Sequence, residues 1–260
     1  DTENDNLAIG YDALGGAIAG GEYNVAIGNY SMDALTSGDY NTAVGYNSLT
    51  AITTGENNTA AGYNALSSNA GSDNTAIGFE AVQVTSGSNN TGVGFRAINN
   101  VESADNNTAL GHRAGDVITT GANNIIIGQG SDPSGAAGAN QIVIGTGATG
   151  HGDNIAVIGN GSNTAIHPHD DNEVDLGSSS YEYKDLYVDG VAYLDAIGMG
   201  STAMTLPTAD GTANYVLKTD GSGTLSWTAN SGSGASEIDD LSDALIESNS
   251  LYLGTTPGNT

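Results

Sequence analysis

Cysteine is absent from the 260 residues, so stability does not rest on disulfides or on the redox state of a compartment. Large core-forming rings are scarce, with one Trp and two Phe, which argues against a wide globular core. Cations are scarcer still. Arg96, Arg113, Lys184 and Lys218 stand against 30 acids, for a formal charge of -26. A nucleic-acid partner needs cationic contacts to phosphate, so that class is excluded, and anionic membrane surfaces are disfavoured on the same ground. No stretch is long or apolar enough to insert in a membrane, and the first residues do not read as a basic, apolar leader.

Glycine is abundant, at 39 residues, alongside many Asn, Thr and Ser. These are residues of tight turns and stacked polar ladders. The glycines are also periodic. A short apolar run closed by glycine, N-T-A-I-G or a variant, recurs at Gly10, Gly28, Gly45, Gly62, Gly78, Gly94, Gly111, Gly128, Gly145 and Gly159, at intervals of 14 to 18 residues. A period this short holds about two strands and two turns, so the repeat is one coil of a β-solenoid. Nine intervals stacked at about 4.8 Å give a rod roughly 43 Å long.

Within a coil such as Asn58 to Asn74, Thr59 and Ala61 are expected on one face of the first strand and Ala60 on the other. Tyr63 to Leu66 are expected to form a second strand after Gly62. A second register, Gly21, Gly38, Gly55, Gly71, Gly87 and Gly121, lies three residues before each repeat asparagine. Its simplest explanation is positive φ, with Ala104 as the exception. Asn41, Asn58, Asn74, Asn90, Asn107 and Asn124 should stack into a hydrogen-bonded ladder. Ile125 to Ile127, Ile142 to Ile144 and Ile155 to Ile158 are apolar on both faces. One face is expected to meet the coil's own interior and the other a neighbouring chain.

Beyond Gly161 the period stops. The expected organisation is a repeat shaft over 1–160, a β-rich knob over 161–229, a linker over 230–235, a short coiled-coil helix over 236–249 and the start of a further coil over 250–260. In the knob, strands are expected at Glu182 to Val188, Gly190 to Asp195, Tyr215 to Thr219 and Thr224 to Thr228. Ser236 and Asp239 fit a helix N-terminus, and Ile238, Leu241 and Leu245 have the spacing of a trimer seam. Gly254 and Gly10 would be one period apart if Thr260 were followed by Asp1, so head-to-tail stacking into a filament is a second expectation.

The N-T-A-I-G-Y-x-A-L pattern with its T-G-x-N-N loop, over about Asn6 to Gly159, resembles the parallel β-roll of trimeric autotransporter adhesin heads and, more closely, phage tail-fibre shafts. Asp175 to Ser180 with Lys184 to Gly190, then Leu206 to Gly211 and Val216 to Trp227, resemble modules of such fibres. The resemblance implies a parallel homotrimer, extracellular or virion-borne, serving host attachment, with a cell-surface glycan or protein met through a part outside this chain. Cofactors are not expected. His167 and His169 form an H-x-H pair that, repeated round a trimer axis, would offer six nitrogens to a transition ion, while Pro168 and the acids Asp170 and Asp171 read instead as a turn. Two acid clusters, Asp170, Asp171, Glu173 and Asp175, and Glu237, Asp239, Asp240 and Asp243, offer weak Ca²⁺ binding, without a recognised calcium-loop signature. The same acids also supply candidates for a glycan-degrading carboxylate pair. Solvated surface is the simpler reading of both clusters, and a non-enzymatic structural protein is expected.

Overall fold

The computed structural model describes residues 5–69, 71–163, 165–166, 176–189, 191–192, 196–199, 202–209, 211–213, 215–229, 244–247 and 250–253. The chain divides into two units, Asp1–His169 and Asp170–Thr260. The strands in chain order are β1 (Leu7–Ile9), β2 (Val25–Ile27), β3 (Thr42–Val44), β4 (Thr59–Ala61), β5 (Ser68–Asn69), β6 (Thr75–Ile77), β7 (Val84–Thr85), β8 (Thr91–Val93), β9 (Thr108–Leu110), β10 (Ile125–Ile127), β11 (Ile142–Ile144), β12 (Ala156–Ile158), β13 (Ala196–Met199), β14 (Thr202–Thr205), β15 (Tyr215–Thr219), β16 (Leu225–Ala229), β17 (Ala244–Glu247) and β18 (Ser250–Leu253).

The first unit is a parallel β-solenoid of about nine turns. Its ten-stranded sheet runs β1-β2-β3-β4-β6-β8-β9-β10-β11-β12 without a register slip, so each ladder glycine lies over the next. A minor parallel pair, β5 with β7, supports one side of two coils. No helix occurs among the described residues.

Why glycine closes each strand is geometric. From Gly10 to Gly145 these residues have φ between +131° and +148°, and at each from Gly10 to Gly128 an added Cβ would overlap the carbonyl group of the glycine one coil on. Neither condition tolerates an L side chain. The second register has a different cause from the one expected. Gly21, Gly38, Gly55, Gly71, Gly87 and Gly121 do not have positive φ; they are glycine because the next coil's backbone carbonyl occupies the place of a Cβ. Positive φ falls two residues later, at Tyr23, Tyr40, Asn57, Asp73, Asn89, Asn106 and Asn123.

The expected second strand is also corrected. Tyr63 to Leu66 and its equivalents form tight turns, with left-handed residues at the second and fourth positions after glycine, as at Asn64 (φ 53°) and Leu66 (φ 50°). Left-handed Val82 and Ile98 are unfavourable by themselves. Burial holds them there, because the same turn points Met32, Leu49, Leu66, Val82 and Ile98 into the interior, where each is fully buried. Facing them is a column of small inward residues, Ala26, Ala43, Ala60, Ala76 and Ala109. Sizes compensate along the axis. Gly92 replaces alanine where Val82 Cγ2 would lie 2.5 Å from a Cβ. Where the strand residue grows to Ile126 and Val143, the position four residues after the ladder glycine is Asp132 or Thr149 in place of a buried Leu, Val or Ile.

Among its described residues the second unit contains three antiparallel hairpins, β13–β14, β15–β16 and β17–β18. β15 matches the strand expected at Tyr215 to Thr219, and β16 lies one residue beyond its expected place. Glu182 to Val188 is irregular, preceded by a single bridge between Ser178 and Tyr181, in place of the expected strand. The expected Gly190 to Asp195 strand is absent at Val191 and Ala192; its other residues lie outside the described ones. The expected helix over 236–249 is overturned at Ala244–Glu247, which pairs as a strand with Ser250–Leu253. Leu245 therefore stands opposite Tyr252 in a ladder, and not on a helix seam. Ile238 and Leu241 lie outside the described residues, as do the linker and the segment beyond Leu253.

Candidate interaction face of the solenoid

Three side-chain columns run along the outer face of the ten-stranded sheet. Two come from the outward first and third strand residues, because strand side chains alternate: Thr42 and Val44, Thr75 and Ile77, Thr108 and Leu110, Ile142 and Ile144. The third column is the residue after each ladder glycine. Across ten coils these 30 positions contain no Asp, Glu, Lys or Arg, although about four would be expected at a charged content of 13%. Large apolar groups stay uncovered on this face, including Ile9 at 55% exposure, Ile77 at 44%, Leu110 at 49% and Ile158 at 58%. An apolar strip of this length on a single chain marks an interaction surface.

The third column supplies an aromatic stack. Tyr46, Tyr63, Phe79, Phe95 and His112 follow one another with centroids 5.0–5.5 Å apart and planes within 8° of parallel. Tyr11, Tyr30 and Tyr46 extend it with edge-to-face contacts. Stacked rings cover one another's faces and present their edges outward. A sugar docks on an open ring face, so this column is poorly shaped as a glycan platform. Burial, then the neighbouring phenols of Tyr11 and Tyr46, push the Tyr30 hydroxyl above its ordinary pKa.

Behind the face the expected asparagine ladder is present. Asn41 Oδ1 accepts the Asn58 backbone N–H at 3.0 Å and Asn58 Nδ2 at 3.0 Å, while Asn41 Nδ2 donates to Asn24 Oδ1 at 3.1 Å and to the Gly55 carbonyl at 2.9 Å. The backbone part of this pattern runs from Asn6 through Asn124, and all the asparagines from Asn24 onward are fully buried. Gln141 ends the ladder. Its backbone N–H still donates to Asn124 Oδ1, but its longer side chain folds away onto Ser134 and Asp153. The doubled N-N of the sequence is thus two devices, a left-handed exposed Asn and a buried ladder Asn. Asn106 Nδ2 bonds Asn123 Oδ1 at 3.2 Å in the exposed column. Next to it, Asp39, Ser72, Ser88, Asp105 and Asp153 each cap a backbone N–H of the preceding coil.

Charge borders the face on both sides. One border carries Asp39, Glu56, Asp73 and Asp105. The other carries Glu80, Arg96 and Arg113 on successive coils, each two residues after a ladder glycine. Arg96 bonds Glu80 at 2.6 Å, with its guanidinium carbon 5.4 Å from the centre of the Phe95 ring. Arg113 is exposed and makes no ion pair among the described residues.

His167, His169 and both acid clusters lie outside the described residues, and no His, Cys, Asp and Glu group suited to a metal occurs among the described ones. Asp132 is the most perturbed carboxyl of the solenoid. Burial and then the Asp116 charge raise its pKa, against opposing backbone N–H groups of Val117 and Asp116, and its Oδ1 has no hydrogen-bond partner. In the second unit a cleft of about 630 Å³ is lined by Leu176, Ser178, Ser179, Glu182, Tyr183, Asp185 and Leu186. Its lining residues among the described ones carry carboxylates and hydroxyls.

The aromatic stack and the charge-free columns escaped the sequence reading. Their signal was the residue after each glycine, which is Tyr, Phe or His in six of ten coils. The fold and face define a parallel β-solenoid repeat protein with one unpartnered apolar side. No protein-family model matches the chain, and no curated protein matches it.

Proposed function

We propose that this chain is the structural shaft of a trimeric extracellular or virion-borne attachment fibre, without catalytic activity. The observation that carries the reading is the charge-free face running along all ten coils of a chain whose net charge is -26. Three such rods packed on this side would bury their apolar columns and leave acid outside, where repulsion limits bundling. Stiffness comes from backbone ladders and the buried amide ladder, which let a shaft hold a distal receptor-binding part away from its base. The likeness of the repeat to tail-fibre and adhesin β-rolls supports the same assignment.

A filament stacked end to end is the second reading. It is favoured by the first coil, where Ala8 is exposed although the equivalent Ala26, Ala43 and Ala60 are fully buried. Electron microscopy over a concentration series, with solution mass, tests both. Discrete rods at three times the 25.9 kDa chain mass support the shaft. Long filaments replace it with the second reading, a compact monomer overturns both, and turnover of a surface glycan would restore an enzymatic role.

A further inference from the structure

We infer that the Asp132–Pro133 peptide bond is a self-cleavage site, at which the Asp132 carboxyl attacks its own main-chain carbonyl and Pro133 leaves. The inference goes beyond the shaft reading and does not depend on it, because scission of the chain's own bond is a single event that turns over no substrate. Asp132 and Pro133 form the only Asp-Pro pair in the sequence. They fall where the repeat is broken. Leu49, Leu66, Val82 and Ile98 hold the place of Asp132 in earlier coils, four residues after a ladder glycine, and each is fully buried. A carboxyl at that place brings no structural return, since its Oδ1 is shielded from solvent and has no hydrogen-bond partner. A titratable group kept in such surroundings is a mark of reactive sites.

The backbone is pinned on both sides of the bond. The Asp132 N–H donates to the Ala148 carbonyl at 2.9 Å, and the Asp132 carbonyl accepts the Gly150 N–H at 2.8 Å. Beyond the bond, the Ser134 N–H donates to Gln141 Oε1 at 3.0 Å, and Gln141 Nε2 donates to Ser134 Oγ at 2.8 Å. The residue that departs from the asparagine ladder thus holds the leaving side. Gly150 is buried, so its N–H polarises the scissile carbonyl and stabilises the oxyanion that attack forms there. Water is the only co-reactant. The protonated carboxyl passes its proton to the prolyl nitrogen, a tertiary amide, as its oxygen bonds to the Asp132 carbonyl carbon. The C–N bond breaks, its electron pair leaves on nitrogen, and a cyclic anhydride of Asp132 remains until water opens it to two carboxyls. Burial and the Asp116 charge on the preceding coil hold that proton to higher pH than usual, against the N–H groups of Val117 and Asp116. The following coil sets Ala148 and Thr149, which do not titrate, beside Asp132, with His151 exposed beyond them. Scission divides β1–β10 from β11, β12 and the second unit, while the β10–β11 ladder keeps the pieces together until the solenoid opens.

The test uses the full chain. Held at about pH 5, above the isoelectric point of about 4.1, it keeps its negative charge and stays soluble. The folded chain, checked by circular dichroism, should yield fragments 1–132 and 133–260 on denaturing gels at least about tenfold faster than the same chain unfolded in urea at that pH. Mass spectrometry then places the new ends at Asp132 and Pro133. The rate should climb as pH falls from neutrality and level off below the raised Asp132 pKa. Asp116→Asn removes a charge that raises this pKa, so it should shift the climb to lower pH. Asp132→Asn should fold and stay intact, and Pro133→Ala, which keeps the carboxyl but replaces the tertiary amide, should lose most of the scission. A folded chain that stays whole, one cut no faster than the unfolded chain, or scission that persists in Asp132→Asn overturns the inference. None of these outcomes touches the shaft reading, which stands or falls on the mass and shape of the rods.

Discussion

The two units solve the same problem in opposite ways. In the solenoid each principal strand is three residues long and its partner lies 14 to 18 residues away, so no strand is stable without the coils above and below. In the second unit, strands of four or five residues close locally as hairpins, yet β15 is exposed along its whole length, and Leu176, Tyr181, Leu186 and Tyr187 are exposed too. An isolated two-stranded hairpin is marginal in water. Tight local turns therefore do not substitute for burial. The solenoid obtains burial from repetition within one chain, while β15 lacks it.

The sharpest contrast is between two glycines. Gly62→Ala would force a Cβ into the carbonyl of Gly78 at a φ of +144°, with backbone on both sides unable to yield. A loss of more than about 3 kcal/mol is expected from combined strain and overlap. Gly221→Ala, at φ +81° with nothing within 4 Å, should cost only the conformational term of about 1–2 kcal/mol. Denaturant unfolding followed by circular dichroism separates the two. Equal losses would mean that contact between coils is not what demands glycine.

Asn90→Ala ranks next. It removes the acceptor for the Asn107 backbone N–H (3.0 Å) and Asn107 Nδ2 (3.2 Å), and the donor to the Ala104 carbonyl (2.8 Å), all in a fully buried column. Stranding such groups costs about 1–3 kcal/mol, and here several share one side chain, so a loss of about 2–4 kcal/mol is expected. Exchange of the Asn107 amide proton should accelerate at the same time. The exposed Asn106 makes one side-chain bond to Asn123, and its alanine variant should lose under about 1 kcal/mol.

How far these features were readable differs by type. The strands, their partners and the asparagine ladder follow from a strict period, because residues one period apart must stack. The glycine registers looked alike in sequence, yet one demands both positive φ and space and the other only space. Alternation also misled at Tyr63 to Leu66, where left-handed backbone at every second residue throws side chains to alternate sides much as a strand does. Burial of Leu66, Val82 and Ile98 overrides their own backbone preference there, and no local signal reports it. Likewise the heptad spacing of Ile238, Leu241 and Leu245 fitted a helix, but the short apolar runs Ala244–Ile246 and Leu251–Leu253 fit the observed hairpin equally well.

Titration sharpens the contrast in a different way, with smaller effects. Asp132 has its pKa raised, chiefly by burial, so the folded state favours the protonated form. Its charge opposes folding at neutral pH, and that opposition fades as pH falls through the raised value toward the ordinary 3.8. Asp132→Asn should therefore raise the melting temperature at pH 7 and leave it nearly unchanged below pH 3.8. A lower melting temperature at pH 7 would show that the carboxylate has a partner which outweighs its burial.

Asp220 is the reverse case, in the hairpin turn between β15 and β16. Its carboxylate accepts Ser222 Oγ at 2.7 Å, the Ser222 N–H at 2.8 Å and the Thr224 N–H at 3.0 Å, and these bonds lower its pKa to about 2. Because the folded value lies below the ordinary 3.8, the turn's contribution is complete above that pH and is lost as pH falls through about 2. The group is fully exposed, so the effect belongs to the turn and not to the stability of the unit. Ser222→Ala removes the hydroxyl donor and keeps both backbone donors. The carboxyl midpoint, followed by ¹³C resonance, should rise yet remain below 3.8, since the backbone bonds survive. A midpoint that does not move would assign the lowering to the backbone alone, and the hairpin would then hold its turn by the same means as the solenoid, where Asp39 and Asp105 cap N–H groups without a hydroxyl's help.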